Sequence, residues 1–222
     1  MKVLRLAIIL AIVATLSWAA IRISDIVVNG KDNKEMLAAM KRMELYDSIN
    51  LDKVAYIAAA VPRVSKHVAG PEAFMICQTI WQVSETWAAS IDMPVKDFAE
   101  VLEALSEHES GFKENAVNPT SGICGPWQVS YSLAKSLQYN PIIATRVANK
   151  TDLMDWERSA PYAAAAFCLF YDSAGKDLGK TLLYWHDGEP QVDRGQVSPA
   201  ANYLRDNVLA IIRRNKEMEK VS

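Results

Sequence analysis

A chain of 222 residues, half of them hydrophobic and 9% aromatic, can bury one sizeable core, and this composition argues against intrinsic disorder. The net charge of −2 gives no basic surface and hence no indication of nucleic-acid binding. The sequence contains no internal repeat, no low-complexity tract and no glycine-rich phosphate loop.

The N-terminal segment, residues 1–22, is predicted to be a signal peptide or a membrane anchor. Two cations in "MKVLR" precede an apolar run from Leu6 to Ile21, and Arg22 closes the run. The run is shorter than the roughly 20 residues of a membrane span. It fits the charged start and apolar middle of an export signal, with Ser17 and Ala19 as small residues before a cleavage point. An uncleaved anchor is the alternative, and either interpretation exports the rest of the chain.

Helical periodicity dominates the rest of the sequence, and strand signals are nearly absent. Asn33 and Asn50 are predicted N-caps, Pro62 is expected to end the second helix, and Pro71 lies in the first turn of the third. The predicted helices are residues 33–45, 50–61, 70–90, 93–110, 131–139, 159–175, 179–188 and 199–218. The cationic residues 213–220 are interpreted as a solvated helix end. The chain is therefore predicted to be all-α.

One long irregular stretch, residues 111–130, interrupts the helices and is rich in Gly, Asn, Pro and Ser. A loop of this length within a compact domain is usually functional. It is predicted to form a loop or a small hairpin, directly after the helix of residues 93–110.

The C-terminal end of that helix carries a carboxylate in an unexpected place. The apolar residues of the helix gather on one side of a helical wheel, and Glu100, Glu103 and Glu107 gather on the other, predicted to be solvated. Glu109 falls within the apolar stripe. A carboxylate there is costly unless it is paired or protonated, and a protonated glutamate at neutral pH is what general acid catalysis requires. The alternative is a helix end that frays at Ser110 and leaves Glu109 exposed.

Three blocks of sequence carry a family resemblance. They are "ESGF…N…NPTSGICGPWQV" in residues 109–129, "SAPYAAAAFCLFYDSAGKDLGKTLLYWHDGEP" in residues 159–190 and "ANYLRDNVLAI" in residues 201–211. In order and spacing they resemble the lytic transglycosylases of the soluble (SLT) type, on the goose-lysozyme-like fold. The resemblance covers about residues 90 to 214. It implies a lysozyme-like helical domain.

The resemblance also implies roles for single residues. Glu109 matches the catalytic acid of the family, and Ser110 matches the serine that orients the acetamido group of the sugar. Gly125 and Gln128 match the Gly-x-x-Gln that shapes the floor of the cleft. Tyr203 matches a tyrosine that faces the acid.

The chain departs from the family at residues 184–188, which read Tyr-Trp-His-Asp-Gly instead of Ala-Tyr-Asn-Ala-Gly. Trp185 replaces a tyrosine whose hydroxyl lies near the acid, and His186 replaces an asparagine. Both remain expected substrate-binding residues, since Trp185 can donate an N–H and His186 can hydrogen-bond like an amide. Trp127 and Trp185 are expected to flank the cleft and stack on sugar faces. Three further tryptophans are expected in the core: Trp81, Trp87 and Trp156.

The activity that the resemblance implies is that of a peptidoglycan lytic transglycosylase. Glu109 would protonate the oxygen between N-acetylmuramic acid and N-acetylglucosamine, and would then act as the base that closes a 1,6-anhydro ring. After Glu114 the sequence has no Asp or Glu until Asp152, which favours a mechanism with a single carboxyl group over the usual pair. The alternatives are a muramidase that hydrolyses the same bond, and a catalytically impaired wall-binding or assembly protein.

Neither a metal nor a cofactor is expected. Cys77, Cys124 and Cys168 are spaced too widely for a metal knuckle, and His108 lacks the second histidine four residues on that a zinc helix needs. In an exported protein the cysteines form either one disulfide with a spare thiol or three buried free thiols. The sequence leaves both open.

The predicted organisation is the N-terminal segment 1–22, a helical extension 23–90, a catalytic domain 91–214 and a tail 215–222. The predicted location is the periplasm or cell envelope, with an inner-membrane anchor if residues 1–22 are retained. The expected partners are peptidoglycan glycan strands, the membrane in that second case, and an envelope-spanning or virion assembly. The sequence does not separate a bacterial enzyme from a phage one.

Overall fold

A computed structural model describes residues 50–119, 121–143, 146–147 and 149–221 of the chain. The predicted signal or anchor of residues 1–22 and the predicted helix 33–45 lie outside these ranges. Among the described residues, no helix is both long enough and apolar enough to cross a bilayer.

The described part of the chain is mostly helical, which confirms the predicted all-α class. Its α-helices are α1 (Leu51–Val64), α2 (Gly70–Trp87), α3 (Val95–Ser110), α4 (Tyr131–Leu137), α5 (Trp156–Ser173), α6 (Leu178–Asp187), α7 (Glu189–Asp193) and α8 (Pro199–Val221). Short 3-10 helices lie at Ala88–Ile91 and Lys150–Met154. The irregular stretch of residues 111–130 is a loop braced by one isolated β-bridge between Val117 and Cys124.

The predicted end of the first described helix at Pro62 is wrong, because α1 continues through Pro62 to Val64. Proline within a helix removes a backbone hydrogen bond and crowds the preceding turn. Here Pro62 lies in the last turn on an exposed side, while Val61 and Val64 are buried in the core on the other side. Their packing holds the final turn in helical form.

One hydrophobic core joins all the longer helices. Helix α2 packs against α1, α3 and α5, and helix α8 packs against both α3 and α6. The buried cluster extends from Tyr56 in α1 to Ile212 in α8, and it includes the predicted core residues Trp81, Trp87 and Trp156. Residues 50–90 therefore share a core with residues 91–214.

The prediction of a solvated face on α3 is wrong. Glu100 and Glu103 are 1% and 0% exposed, because α1 and α8 cover this side of α3. Arg63 of α1 donates to both carboxylate oxygens of Glu103 at 2.7 and 2.9 Å, and Asn215 of α8 donates to the same group at 3.4 Å. A buried carboxylate needs such partners, so the charges on α3 are matched by charges on its neighbours.

The interpretation of residues 213–220 as a solvated helix end is correct for most of the described side chains, which are exposed, but this segment also bonds to α3. These residues continue helix α8 along α3. Arg214 donates to both oxygens of Glu107 at 3.1 and 2.8 Å, and Lys216 donates to Asp97 at 2.9 Å. Asn215 is fully buried. The C-terminal part of α8 is therefore bonded to the helix that carries Glu109.

The three cysteines, Cys77, Cys124 and Cys168, are buried free thiols. This is one of the two arrangements that the sequence left open. Burial raises the pKa of Cys168 to about 11, so its thiol stays protonated at neutral pH.

Candidate active site

Glu109 lies in the last turn of α3, and the chain leaves the helix there in an ordered way. Gly111 has a φ of +59° and donates its N–H to the carbonyl of Glu107, while Phe112 donates its N–H to the carbonyl of Ser106. These bonds form the glycine cap with which many helices end. The side chain of Phe112 is fully buried and anchors the turn. The helix therefore does not fray at Ser110.

The carboxyl group of Glu109 is held in a desolvated position. Trp185 of α6 donates its indole N–H to Oε1 of Glu109 at 3.0 Å. Burial raises the pKa of Glu109 to about 7, and this outweighs the lowering by the Trp185 hydrogen bond and by the charge of His186. Burial disfavours the ionised form of an acid, so near neutral pH a large fraction of Glu109 is protonated. A raised pKa is what the sequence predicted for Glu109 from its position in the apolar stripe of α3.

A cleft of about 310 Å³ is lined by Trp185 and His186, and Glu109 is not itself among its lining residues. Trp185 lines the cleft and also contacts Glu109, so it connects the two. The polar side chains of the cleft come from the loop 111–130 and from the end of α6, and they include Gln128, His186 and Asp187. Phe170 of α5 packs edge-on against Trp185 with ring centroids 6.4 Å apart, which fixes the indole.

Gly125 and Gln128 shape the loop beneath the cleft. Gly125 has a φ of +92°, and a Cβ atom there would lie 1.8 Å from the carbonyl oxygen of Leu153. Only glycine fits this close approach. The side-chain amide of Gln128 donates to the carbonyls of Ala116 and Gly125 at 3.2 and 2.9 Å, which ties the two arms of the loop together.

Ser110 lies in the cap of α3, and Trp127 lies in the core. The Ser110 hydroxyl donates to the carbonyl of Ser106 at 3.2 Å and accepts from the amide of Lys113 at 3.2 Å, so it serves the helix cap. Trp127 is 1% exposed, and its indole donates to the carbonyl of Leu102 at 3.1 Å. The prediction that Trp127 stacks on sugars is wrong, because a ring enclosed in the core cannot reach a substrate.

Tyr203 is exposed over 67% of its surface. Its ring lies against His108, with centroids 5.7 Å apart, at the position directly before Glu109. Burial lowers the pKa of His108, and the nearby charge of His186 lowers it further. His108, Glu109 and His186 therefore lie within electrostatic reach of one another.

The sequence did not predict the contacts made by Asp187. Its side chain is 6% exposed and accepts hydrogen bonds from the backbone N–H of Ser198 at 2.6 Å and from the Ser198 hydroxyl at 2.7 Å. Nδ1 of His186 lies 2.8 Å from the same carboxylate. The bonds from Ser198 and His186 lower the pKa of Asp187 despite its burial. Ser198 directly precedes Pro199, which begins α8, so the sequence marks Ser198 as a helix cap. The sequence does not indicate that Asp187, eleven residues earlier, is the hydrogen-bond partner of Ser198.

The loop glutamate Glu114 lies at a different cavity. That cavity has a volume of about 240 Å³ and is lined by Glu72, Asp155 and Trp156 among others, and it shares no lining residue with the cleft at Trp185. Burial raises the pKa of Glu114, and the charge of Asp155 raises it further. Among the described residues, the carboxylate that lines the cleft is that of Asp187, which already bonds to Ser198 and His186.

Comparisons with protein-family models, with curated proteins and with solved structures find no match for this chain. The function is therefore inferred from the residues of the site and from the three sequence blocks. Two of those blocks, residues 109–129 and 159–190, contribute Glu109, Gln128, Trp185 and His186 to one region of the fold.

Proposed function

We propose that the protein is a lytic transglycosylase that cleaves the β-1,4 bond between N-acetylmuramic acid and N-acetylglucosamine in peptidoglycan. The observation that carries the proposal is the place of Glu109 at an ordered helix end, bonded to the cleft residue Trp185. Burial there raises the pKa of Glu109 to about 7. A group that is protonated at neutral pH and is bonded to a cleft residue is suited to act as a general acid.

In the first step Glu109 gives its proton to the bridging oxygen as the bond between this oxygen and C1 breaks. The acetamido oxygen of the muramic residue bonds to C1 and carries the developing positive charge. The N–H of Trp185 hydrogen-bonds to Oε1 of Glu109 and stabilises the carboxylate that this step leaves behind. General acid catalysis of this kind contributes about 10²–10⁴-fold to a rate.

In the second step the 6-hydroxyl of the same muramic residue attacks C1 and displaces the acetamido oxygen. The ionised Glu109 accepts the hydroxyl proton, a 1,6-anhydro ring forms, and the acid is restored. Glycosidases that use two catalytic carboxyl groups place the second about 5–9.5 Å from the first. The buried Asp187 already accepts three hydrogen bonds or ion-pair contacts, which supports a mechanism in which Glu109 is the only reacting carboxyl group.

The test is the digestion of purified sacculi by the wild type and by Glu109→Gln. We expect the wild type to release anhydro-muropeptides and the variant to lose at least 100-fold in rate. Glu107→Gln is a matched control two residues earlier on α3, since Glu107 binds Arg214 and not the cleft. We expect it to keep nearly full activity.

Other products support the alternatives. Reducing ends in place of anhydro ends would make the protein a muramidase, with water as the attacking group. Equal digestion by the wild type and by Glu109→Gln would exclude Glu109 as the acid. No digestion by either, together with retention on sacculi, would support a wall-binding or assembly protein.

The proposed location is the periplasm or cell envelope, because the substrate lies there. The proposed partner is the glycan strand of the wall, and an envelope-spanning or virion assembly would deliver the protein to it. Intact mass of the expressed chain tests whether residues 1–22 are removed, because cleavage after residue 19 shortens the chain while an anchor leaves it at 24.6 kDa in the membrane fraction.

A further inference from the structure

Helix α6 ends in a histidine and an aspartate that are arranged for more than substrate binding. His186 lines the cleft, and its side chain is 39% exposed. Asp187 is nearly buried, with two hydrogen bonds from Ser198 that fix its carboxylate. The partner of His186 is thus a rigid carboxylate, while the imidazole itself remains open to a ligand.

The tautomer of His186 follows from this contact. A carboxylate can only accept hydrogen bonds, so the nitrogen 2.8 Å from Asp187, Nδ1, must carry the hydrogen. In a neutral imidazole the other nitrogen, Nε2, then has a free lone pair. His186 therefore presents a proton acceptor to the cleft, and Asp187 stabilises the imidazolium that forms when Nε2 takes a proton.

We propose that His186 is a second catalytic residue, whose Nε2 accepts the proton of the attacking hydroxyl. The proposal rests on the transglycosylase function above and revises its second step, in which Glu109 alone had both roles. Asp187 is the positioning residue that selects the tautomer and orients the ring.

The proton balance is complete without any further reactant. Glu109 gives its proton to the leaving oxygen, which keeps the electron pair of the broken bond to C1. The 6-hydroxyl oxygen then bonds to C1 and displaces the acetamido oxygen, while its proton passes to Nε2 of His186. The imidazolium returns this proton to the carboxylate of Glu109, and both groups are ready for the next cycle.

The charged neighbours of His186 are consistent with Glu109 as the acid and His186 as the base. Asp187 on α6 favours the imidazolium, and so does the Glu109 carboxylate on α3 once it has lost its proton. His108, also on α3, opposes it when charged, but burial and the charge of His186 lower the pKa of His108. The Ser198 hydroxyl, directly before α8, is uncharged and bonds to Asp187.

The simpler explanation is that Asp187 only helps to cap α8 and that His186 only binds the sugar. The Ser198 hydroxyl accepts from the amide of Ala201 at 3.0 Å, so Asp187 does take part in the start of that helix. This role explains the buried carboxylate but not the histidine. Kinetics as a function of pH separate the two explanations, because a cap or a binding group does not determine the acid side of the rate profile.

The experiment measures kcat and KM on sacculi between pH 4 and pH 9 for the wild type, His186→Asn, His186→Gln, Asp187→Asn and His67→Asn. The wild type should show a bell-shaped profile, because the mechanism needs an unprotonated base and a protonated acid, and ionisation of Glu109 removes activity on the alkaline side. His186→Asn should lose about 100-fold or more in kcat with KM little changed. Its residual activity should keep the alkaline limb and lack the acid limb.

The other variants sharpen this result. His186→Gln should behave as His186→Asn, and Asp187→Asn should lose kcat because an amide no longer selects the Nδ1–H tautomer. His67→Asn is the matched control, since His67 packs against Phe112 and is not among the residues that line the cleft. We expect it to match the wild type. Thermal unfolding of each variant confirms that it is folded.

The proposal is overturned if folded His186→Asn keeps wild-type kcat, or if its kcat falls while the acid limb stays in place. In both cases Glu109 would act alone and the transglycosylase function would stand. Full activity of Glu109→Gln would instead overturn the function itself, and the inference with it. The two failures are therefore distinguishable in one set of measurements.

Discussion

Replacement of Glu109 by glutamine should stabilise the protein, and by an amount that depends on pH. The glutamate has a pKa of about 7 in the folded chain, against 4.5 for the ordinary side chain. Ionisation therefore costs folding free energy, since a proton that leaves easily from the unfolded chain leaves with difficulty from the folded one. The penalty is absent well below pH 4.5, grows between the two pKa values and is complete above pH 7.

The size of the effect follows from the same two values. At about 1.4 kcal/mol for each tenfold change in the protonation equilibrium, the full penalty is about 3 kcal/mol. Glutamine resembles the protonated acid and keeps an oxygen for the Trp185 N–H, so it escapes the penalty. We expect Glu109→Gln to equal the wild type near pH 4 and to be about 3 kcal/mol more stable at pH 8. For a chain of this size that is about 6–12 °C in Tm.

The assay is calorimetric or denaturant unfolding of both proteins at pH 4, 6 and 8. Glu107→Gln is the control, because it makes the same chemical change on the same helix but removes the ion pair with Arg214. It should destabilise slightly, by about 1 kcal/mol or less. If the difference between Glu109→Gln and the wild type is the same at pH 4 and pH 8, Glu109 is an ordinary exposed glutamate and the acid is misassigned.

Three further predictions concern other parts of the structure. Trp185→Phe removes the N–H that lowers the pKa of Glu109, so the alkaline limb of the rate profile should move to higher pH. Rate measurements between pH 6 and pH 9 would detect this shift, and an unmoved limb would refute the contact. Arg63→Ala leaves the buried carboxylate of Glu103 without its cation and should lower the free energy of unfolding, measured in urea, by about 3–5 kcal/mol. A loss below about 1 kcal/mol would mean that the pair is solvated. Gly125→Ala places a Cβ against the backbone carbonyl of Leu153. The variant should lose activity while its helical circular-dichroism signal persists. Full activity would show that this part of the loop can shift.

Local periodicity predicted the helices and singled out Glu109, because both depend on residues within a few turns of each other. The pattern failed where a distant helix supplies the partner. Glu103 reads as surface on a wheel of α3, and only the packing of α1 and α8 turns it into a buried, paired charge. Trp127 shows the same limit, since a loop position gives no period from which its burial could be predicted.

The contacts between Asp187 and Ser198 could not be predicted from the sequence for a related reason. A capping serine before a proline is a local signal, but its acceptor is set by how the chain turns between α6 and α8. The resemblance to lytic transglycosylases pointed to position 186 as a site residue and could not supply its role, because the family has asparagine where this chain has His186. The role depends on Asp187, at a position where the family has alanine.

The ion pairs between α3 and the C-terminal part of α8 bear on the order in which the protein can mature. The ribosome makes α3 long before residues 214–219, so Glu107 emerges without Arg214, and Glu100 emerges with Lys96 but without Lys216. Until α8 is made, α3 has its own glycine cap and its packing on α1 and α2, but not the ion pairs with α8. The order of synthesis therefore places the pairing of Glu107 with Arg214 among the last contacts that α3 can form.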